Sequence, residues 1–181
     1  MHYRTAEAAD IPKLVKLYKA VAKIPGYLAR LEHEITEEYV SDFVHKSLKS
    51  GLIIVGENET NPDELIAEVH GYKPGPQVFD HVLGEVTFLV HPDHQGKGIG
   101  RTIFTIFLDE IANNRPDIGK VELYTGESNR RAIGLYQSLG FMIEGRMEMR
   151  FKNPQSENYE ADIPLGWVNP NFEFDGDIPR L

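Results

Sequence analysis

The stretch His91-Pro92-Asp93-His94-Gln95-Gly96-Lys97-Gly98-Ile99-Gly100-Arg101 decides the reading of this chain. The apolar run Val82 to Val90 leads into it and the helical pattern Arg101 to Asn113 follows, so the order is strand, glycine-rich turn, helix. Gly96, Gly98 and Gly100 let backbone N–H groups converge without Cβ obstruction at the positive end of a helix dipole. Such a turn suits a phosphate-bearing ligand, and its spacing decides which.

Two familiar phosphate loops fail on that spacing. A Walker loop follows Gly-Lys with a hydroxyl residue that reaches magnesium, whereas Lys97 is followed by Gly98. A dinucleotide fingerprint needs Gly-x-Gly-x-x-Gly early in a βαβ unit, and this turn reads Gly-x-Gly-x-Gly far along the chain.

The segment Gln95-Gly96-Lys97-Gly98-Ile99-Gly100 resembles the Gln/Arg-x-x-Gly-x-Gly/Ala loop of the GNAT family of acetyl-CoA-dependent N-acetyltransferases. Further on, Asn129-Arg130-Arg131-Ala132-Ile133-Gly134-Leu135-Tyr136-Gln137-Ser138-Leu139-Gly140-Phe141 resembles the family's second block, Asn-x-x-Ala-x-x-x-Tyr-x-x-x-Gly-Phe. The resemblance implies an α/β (α+β) fold with a mixed central sheet of about seven strands and about four flanking helices. It also implies that acetyl-CoA binds at a splay between strands four and five.

Composition agrees with one compact domain over residues 1–181: the chain is 41% hydrophobic and long enough to bury a sizeable core. No apolar run approaches membrane-spanning length and no signal-peptide pattern opens the chain, so the expected setting is cytoplasmic, with no membrane partner. There is no cysteine, hence no disulfide and no thiolate metal site. A net charge of −9 argues against a nucleic-acid surface and favours approach of a cationic amine, although solubility alone also explains acidity.

Periodicity places strands at His2–Thr5, Leu52–Glu57, Leu65–Gly71, Val82–Val90 and Lys120–Tyr124. Helices are expected over Asp10–Ala22, with Asp10 as N-cap and Pro12 in the first turn, and from Thr36 to about Leu48. Phe141–Lys152 and Tyr159–Trp167 read as a hairpin. The C-terminal tail, residues 170–181, is expected to lie on the surface, against a neighbouring edge or the partner subunit of a homodimer.

The resemblance assigns roles. The loop Gln95, Gly96, Lys97, Gly98, Ile99, Gly100 and Arg101 would hold the CoA pyrophosphate, Leu89, Val90 and His91 the pantetheine arm, and Asn129 a further CoA contact. Tyr136 would protonate the CoA sulfur; read without the family, it is a core aromatic beside Ala132, Leu135 and Leu139. The base is less clear. Family members carry a strand-four glutamate where this chain has Gly84 or Val82, and Glu85 reaches that face only through a bulge. Glu68 and His70 are alternatives, as is a water chain. Acceptor contacts are expected from Tyr27, Arg30 and Glu34 in the loop between the first two helices, and from Tyr159 or Asp162. The Tyr72–Asp80 loop is a candidate lid. His91 and His94 lack a clear third ligand, so no metal is expected.

Together these readings describe an N-acetyltransferase acting on a small-molecule or peptide amine. Use of another acyl-CoA, or CoA sensing without turnover, are the competing possibilities.

Overall fold

The computed structural model describes residues 1–153 and 156–173. Strands β1 (His2–Thr5), β2 (Gly51–Asn58), β3 (Asn61–Tyr72), β4 (Val82–Val90), β5 (Lys120–Gly126), β6 (Met142–Ile143), β7 (Met147–Lys152) and β8 (Tyr159–Val168) form one sheet. Its order is β1-β2-β3-β4-β5-β8-β6, with β7 also paired to β8. Helices α1 (Ile11–Ala22), α2 (Glu37–Ser50), α3 (Ile99–Asn114) and α4 (Arg130–Ser138) complete the fold. Among the described residues no helix is long and apolar enough to cross a membrane.

The sheet has eight strands rather than about seven because the first arm of the C-terminal hairpin is broken. Met142↔Gly166 and Ile143↔Leu165 pair, and the next residue, Glu144, donates its N–H to the Pro164 carbonyl at 2.9 Å. Pro164 has no N–H to return, so the ladder lapses there and resumes at Met147↔Asp162.

Two cores lie on opposite faces of the sheet. Helix α1 buries Leu14, Leu17, Tyr18 and Val21, and α2 buries Val40, Phe43, Val44 and Ser47, both at the i, i+3, i+4, i+7 spacing of a single stripe. They pack with Ile53, Val55, Leu65 and Leu89. On the other face, Ile103, Phe104, Phe107 and Ile111 of α3 pack with Ile54, Val69, Leu83, Val121, Leu123, Ile163 and Leu165.

The ends of the helices follow the sequence with one exception. Thr36 caps α2, accepting the Tyr39 N–H at 3.1 Å. Asp10 precedes α1 but does not cap it. Its carboxylate turns back to the Arg4 guanidinium at 2.7 and 2.9 Å and to the Glu7 N–H at 2.9 Å, tying β1 to the helix start. Arg4 is the chief reason that the Asp10 carboxyl sits below its ordinary pKa.

The described part of the tail, as far as Glu173, folds back onto the corner between α3 and β5. Asn169 donates to the Ile118 carbonyl at 2.8 Å, and Asn171 to the Ala112 carbonyl at 2.9 Å. The Phe172 ring covers Gly119, where a Cβ would stand 2.9 Å from it. Residues 174–181 of the expected tail lie outside the described residues.

The α1/α2 core encloses a carboxyl group bonded at both oxygens. Glu68, 0% exposed, accepts the Tyr18 hydroxyl at 2.7 Å, and its other oxygen lies 2.9 Å from His70 Nδ1. A carboxylate can only accept, so Nδ1 carries the proton. The imidazole stacks on Phe43 at 4.2 Å between centroids. One carboxylate thus fastens α1 to β3 while the histidine it orients packs against α2. Replacing Glu68 by Ala strands two buried donors and is expected to cost about 3–5 kcal/mol. The urea midpoint at unchanged slope measures it. Asp42→Ala, which removes the exposed pair with Lys46, should stay within about 0.5 kcal/mol.

Candidate active site

β4 and β5 run parallel but pair at only two positions, Val82↔Lys120 and Leu83↔Val121. Beyond Leu83 no β4–β5 pairing continues, and a cleft of about 680 Å³ is lined from Val86 to Val90 on one strand and from Tyr124 to Gly126 on the other. A bulge sits where the opening begins. On the β3 side His70↔Thr87 and Tyr72↔Gly84 leave one extra residue on β4, and Glu85 there has φ 52°.

The glycine-rich turn closes one end of the cleft. Pro92–His94 form one 3-10 turn, and Gln95 donates its side-chain amide to the Val90 carbonyl at 3.1 Å, fixing the turn to the strand end. Gly96 and Gly98 adopt φ 75° and 80°, in the left-handed region that glycine enters freely. Gly98 is the N-cap of α3, so the first-turn N–H groups of a 16-residue helix face the opening. Gly100 serves close approach instead: a Cβ there would lie 3.1 Å from the Phe88 ring.

α4 forms a second wall. Asn129 caps it, accepting the Ala132 N–H at 3.2 Å, and also lines the cleft. Two turns later Tyr136 packs edge-on against Phe88 at 5.9 Å and Phe104 at 5.6 Å. It is 8% exposed and lines the cleft, and its hydroxyl has no hydrogen-bond partner among the described residues. Burial alone pushes this phenol well above its ordinary pKa, so it stays protonated at working pH. Arg101, whose guanidinium donates to Ser138 Oγ at 2.8 Å, and Arg131 add positive charge to the lining.

The other side of the sheet supplies a third wall. Val121 and Leu123 on β5, and Ala161, Ile163 and Leu165 on β8, face α3. Alternation therefore puts Tyr124 and Asp162 on the opposite face, over which Pro25, Gly26, Tyr27, Leu28 and Ala29 pass. Burial raises the Asp162 carboxyl pKa, and Arg150 opposes the shift.

Several expected residues lie elsewhere. Arg30 does not line the cleft; its guanidinium stacks 4.0 Å above the Tyr39 ring, a better seat for a delocalised cation than open solvent. His91 and Lys97 are also off the cleft wall. His91 accepts the Asp93 N–H, and Lys97 donates to the Asp93 carbonyl at 3.2 Å. Glu85 is exposed and stands one residue before the lining begins. Its charge helps raise the pKa of Tyr72 on β3 and Lys46 on α2, so it faces their side of the sheet. Glu68 and His70 are sealed in the α1/α2 core, and the Tyr72–Asp80 loop and Glu34 do not border the cleft. Tyr159 is 62% exposed and away from it. Among the described residues no group of three or more His, Asp or Glu could hold a metal.

Other lining residues were not singled out from sequence. Phe88 was legible by alternation with Val86 and Val90, and Arg131 by its place in the α4 block. Phe151 and Asn153 carried no signal, because their reach into the cleft depends on the irregular β7.

A model of the acetyltransferase (GNAT) family matches residues 17–141. The L-amino acid N-acyltransferase MnaT of Escherichia coli (strain K12) is 39% identical over 71 residues, 38% of this chain and 38% of that protein. The spermidine N(1)-acetyltransferase of Vibrio cholerae is 32% identical over 71 residues, 39% and 40% of the two chains. The chain thus matches about two fifths of the length of these curated relatives. Among solved structures, a GNAT superfamily phosphinothricin acetyltransferase from Sinorhizobium meliloti in complex with AcCoA superposes with a TM-score of 0.80. It is 15% identical, with 94% of this chain and 89% of that one covered, a likeness of fold. The family match runs from α1 to the end of the α4 block and takes in both the glycine turn and the opened β4 edge; this chain belongs to the acetyltransferase (GNAT) family.

Proposed function

We propose that the protein is an N-acetyltransferase that moves an acetyl group from acetyl-CoA to the primary amine of a small molecule, with residues 1–181 acting as one domain. The observation that carries this is the juxtaposition, along one cleft, of an anion-suited helix N-terminus and a protonated tyrosine whose hydroxyl has no hydrogen-bond partner among the described residues. Bound acetyl-CoA supplies an activated thioester; the chain supplies position and protons.

The residues fit that cosubstrate. The left-handed Gly96 and Gly98 leave open space where side chains would stand, so phosphate oxygens can reach the N–H groups of the turn. Arg101 and Arg131 add positive charge to the same cleft. Leu89 and Val90 pair with β3, and the Val90 carbonyl takes the Gln95 amide, but beyond Leu83 the other edge of β4 has no strand partner and offers backbone groups to an amide-bearing arm, which suits pantetheine. Asn129 borders the same channel. The amine attacks directly, and Tyr136 gives its proton to the departing sulfur. Glu85, exposed at the bulge, accepts the ammonium proton through water. Its left-handed backbone is a strained conformation of the kind found at functional positions, and this supports the role.

Tyr136→Phe keeps the ring packing and removes the proton. kcat is expected to fall by about 10²–10⁴, with acetyl-CoA affinity by calorimetry within about twofold. An unchanged kcat across pH would remove Tyr136 from the mechanism. Gly98→Ala forces a Cβ residue to φ 80°, a strain of about 1–2 kcal/mol that flattening the turn would relieve. Acetyl-CoA affinity should drop by about tenfold, whereas Gly134→Ala, an exposed change in α4 with open space around it, should leave binding unchanged.

A further inference from the structure

We infer that Asp162 and Arg150 form an acceptor-recognition pair for a zwitterion, a small molecule bearing an ammonium group beside a carboxylate, as in an α-amino acid. The inference rests on the transferase reading above and specifies its acceptor.

Asp162 lines the cleft on the face away from α3, beneath the Pro25–Ala29 segment. Other acids nearby are already engaged. Glu127 takes the Arg146 guanidinium at 2.7 Å and the Ala161 N–H at 3.1 Å, and Glu160 takes the Asn153 amide at 2.6 Å through one oxygen while its other is buried away from solvent. Asp162 has one ion pair among the described residues, with Arg150 Nε at 3.6 Å. That is longer than the roughly 2.7–2.9 Å of a charge-assisted hydrogen bond. Its side chain is 20% exposed, against 59% for Arg150. A half-buried carboxylate in a cleft is thus matched by an exposed cation that a ligand ammonium can displace.

Arg150 is where it is because β7 is irregular. Phe151 pairs with Glu160 and shares the face of Asp162, so strict alternation would send Arg150 to the other face. The register shift between Met147 and Phe151, with Met149 at φ 54°, re-aims it, and its guanidinium lies 3.6 Å from Asp162 and 5.9 Å from the Tyr124 ring. Arg150 is not itself part of the cleft lining; the bulge delivers a planar two-pronged donor to the rim, next to the carboxylate that does line it.

The two charges select by sign. Asp162 attracts the acceptor's ammonium, and Arg150 attracts a carboxylate one carbon away. The same guanidinium repels the second cation of a polyamine, against the pull of the chain's overall charge of −9. Tyr27, Leu28 and Val21 give the remaining side chain an apolar seat.

The test is thiol release from acetyl-CoA by the full chain with three acceptor series: leucine, methionine and phenylalanine. Each is compared with its amide and its decarboxylated amine, and spermidine is run alongside. In at least one series the free amino acid should exceed its amide and amine in kcat/KM by about 100-fold. Arg150→Met should abolish that preference while leaving the decarboxylated amine within about threefold, and Asp162→Asn should weaken both. Urea midpoints confirm that each variant is folded. Preference for spermidine or the plain amines, or an equal loss for all acceptors in Arg150→Met, would overturn the inference and leave the transferase reading standing. Absence of turnover with every amine would defeat the transferase reading instead. In that case calorimetry of the amino acids in saturating CoA still decides: heat that Arg150→Met removes supports the pair, and no heat in any series overturns it.

Discussion

The parallel contact between β4 and β5 is the constraint on which the rest of the molecule depends. Two paired positions are enough to register the strands, and the lack of a third leaves backbone edges facing each other across a gap. Open edges inside a protein are costly unless something satisfies them. Here the gap is held rather than closed. The extra residue at Glu85 bends β4 where the pairing stops, and the Phe88, Phe104, Tyr136 and Phe141 rings wedge one side at centroid distances of 5.3 to 5.9 Å. Each such pair contributes about 0.5–1.5 kcal/mol beyond its buried area, so the wedge resists collapse of the strands.

From that opening follows a division between the two faces. On the α3 side the cleft meets a helix N-terminus, glycine backbone and arginines, the surroundings that suit phosphate. On the α1 side it meets an apolar segment, aromatic rings and one half-buried carboxylate, the surroundings that suit a small charged acceptor. Tyr136 stands at the junction, where the proposed acid is also a packing residue. Its ring is part of the wedge, and the burial that the wedge creates keeps its hydroxyl protonated. Beneath the α1 side, the Tyr18–Glu68 bond ties α1 to β3 and the Phe43–His70 stack seats α2 on the same strand.

Much of this was legible in the residues wherever backbone physics left no alternative. Gly96 and Gly98 mark left-handed turns that other residues enter only under strain, and the stripe spacing of α1 and α2 fixes their buried faces. The block from Asn129 to Phe141 placed a cap and an aromatic at one helix face. What could not be read depended on irregular strand geometry. Glu85 and Met149 adopt positive φ with no glycine to announce it, and each redirects the charge at or beside it. Arg30 looked like an acceptor contact until Tyr39, nine residues away in sequence, proved to hold it. Pro164 did carry a signal, since a proline inside a paired strand cannot complete the ladder on both sides. Its effect on the arm beside it was visible only once the register was known.

The most direct measurement is calorimetric titration of the purified chain with acetyl-CoA, CoA, ATP and NAD in parallel. The account predicts saturable binding of acetyl-CoA and CoA, with affinity for each at least about tenfold above that for ATP or NAD. A glycine turn that serves only a general phosphate would bind all four alike. Folded protein that binds neither acetyl-CoA nor CoA would contradict the account at its centre.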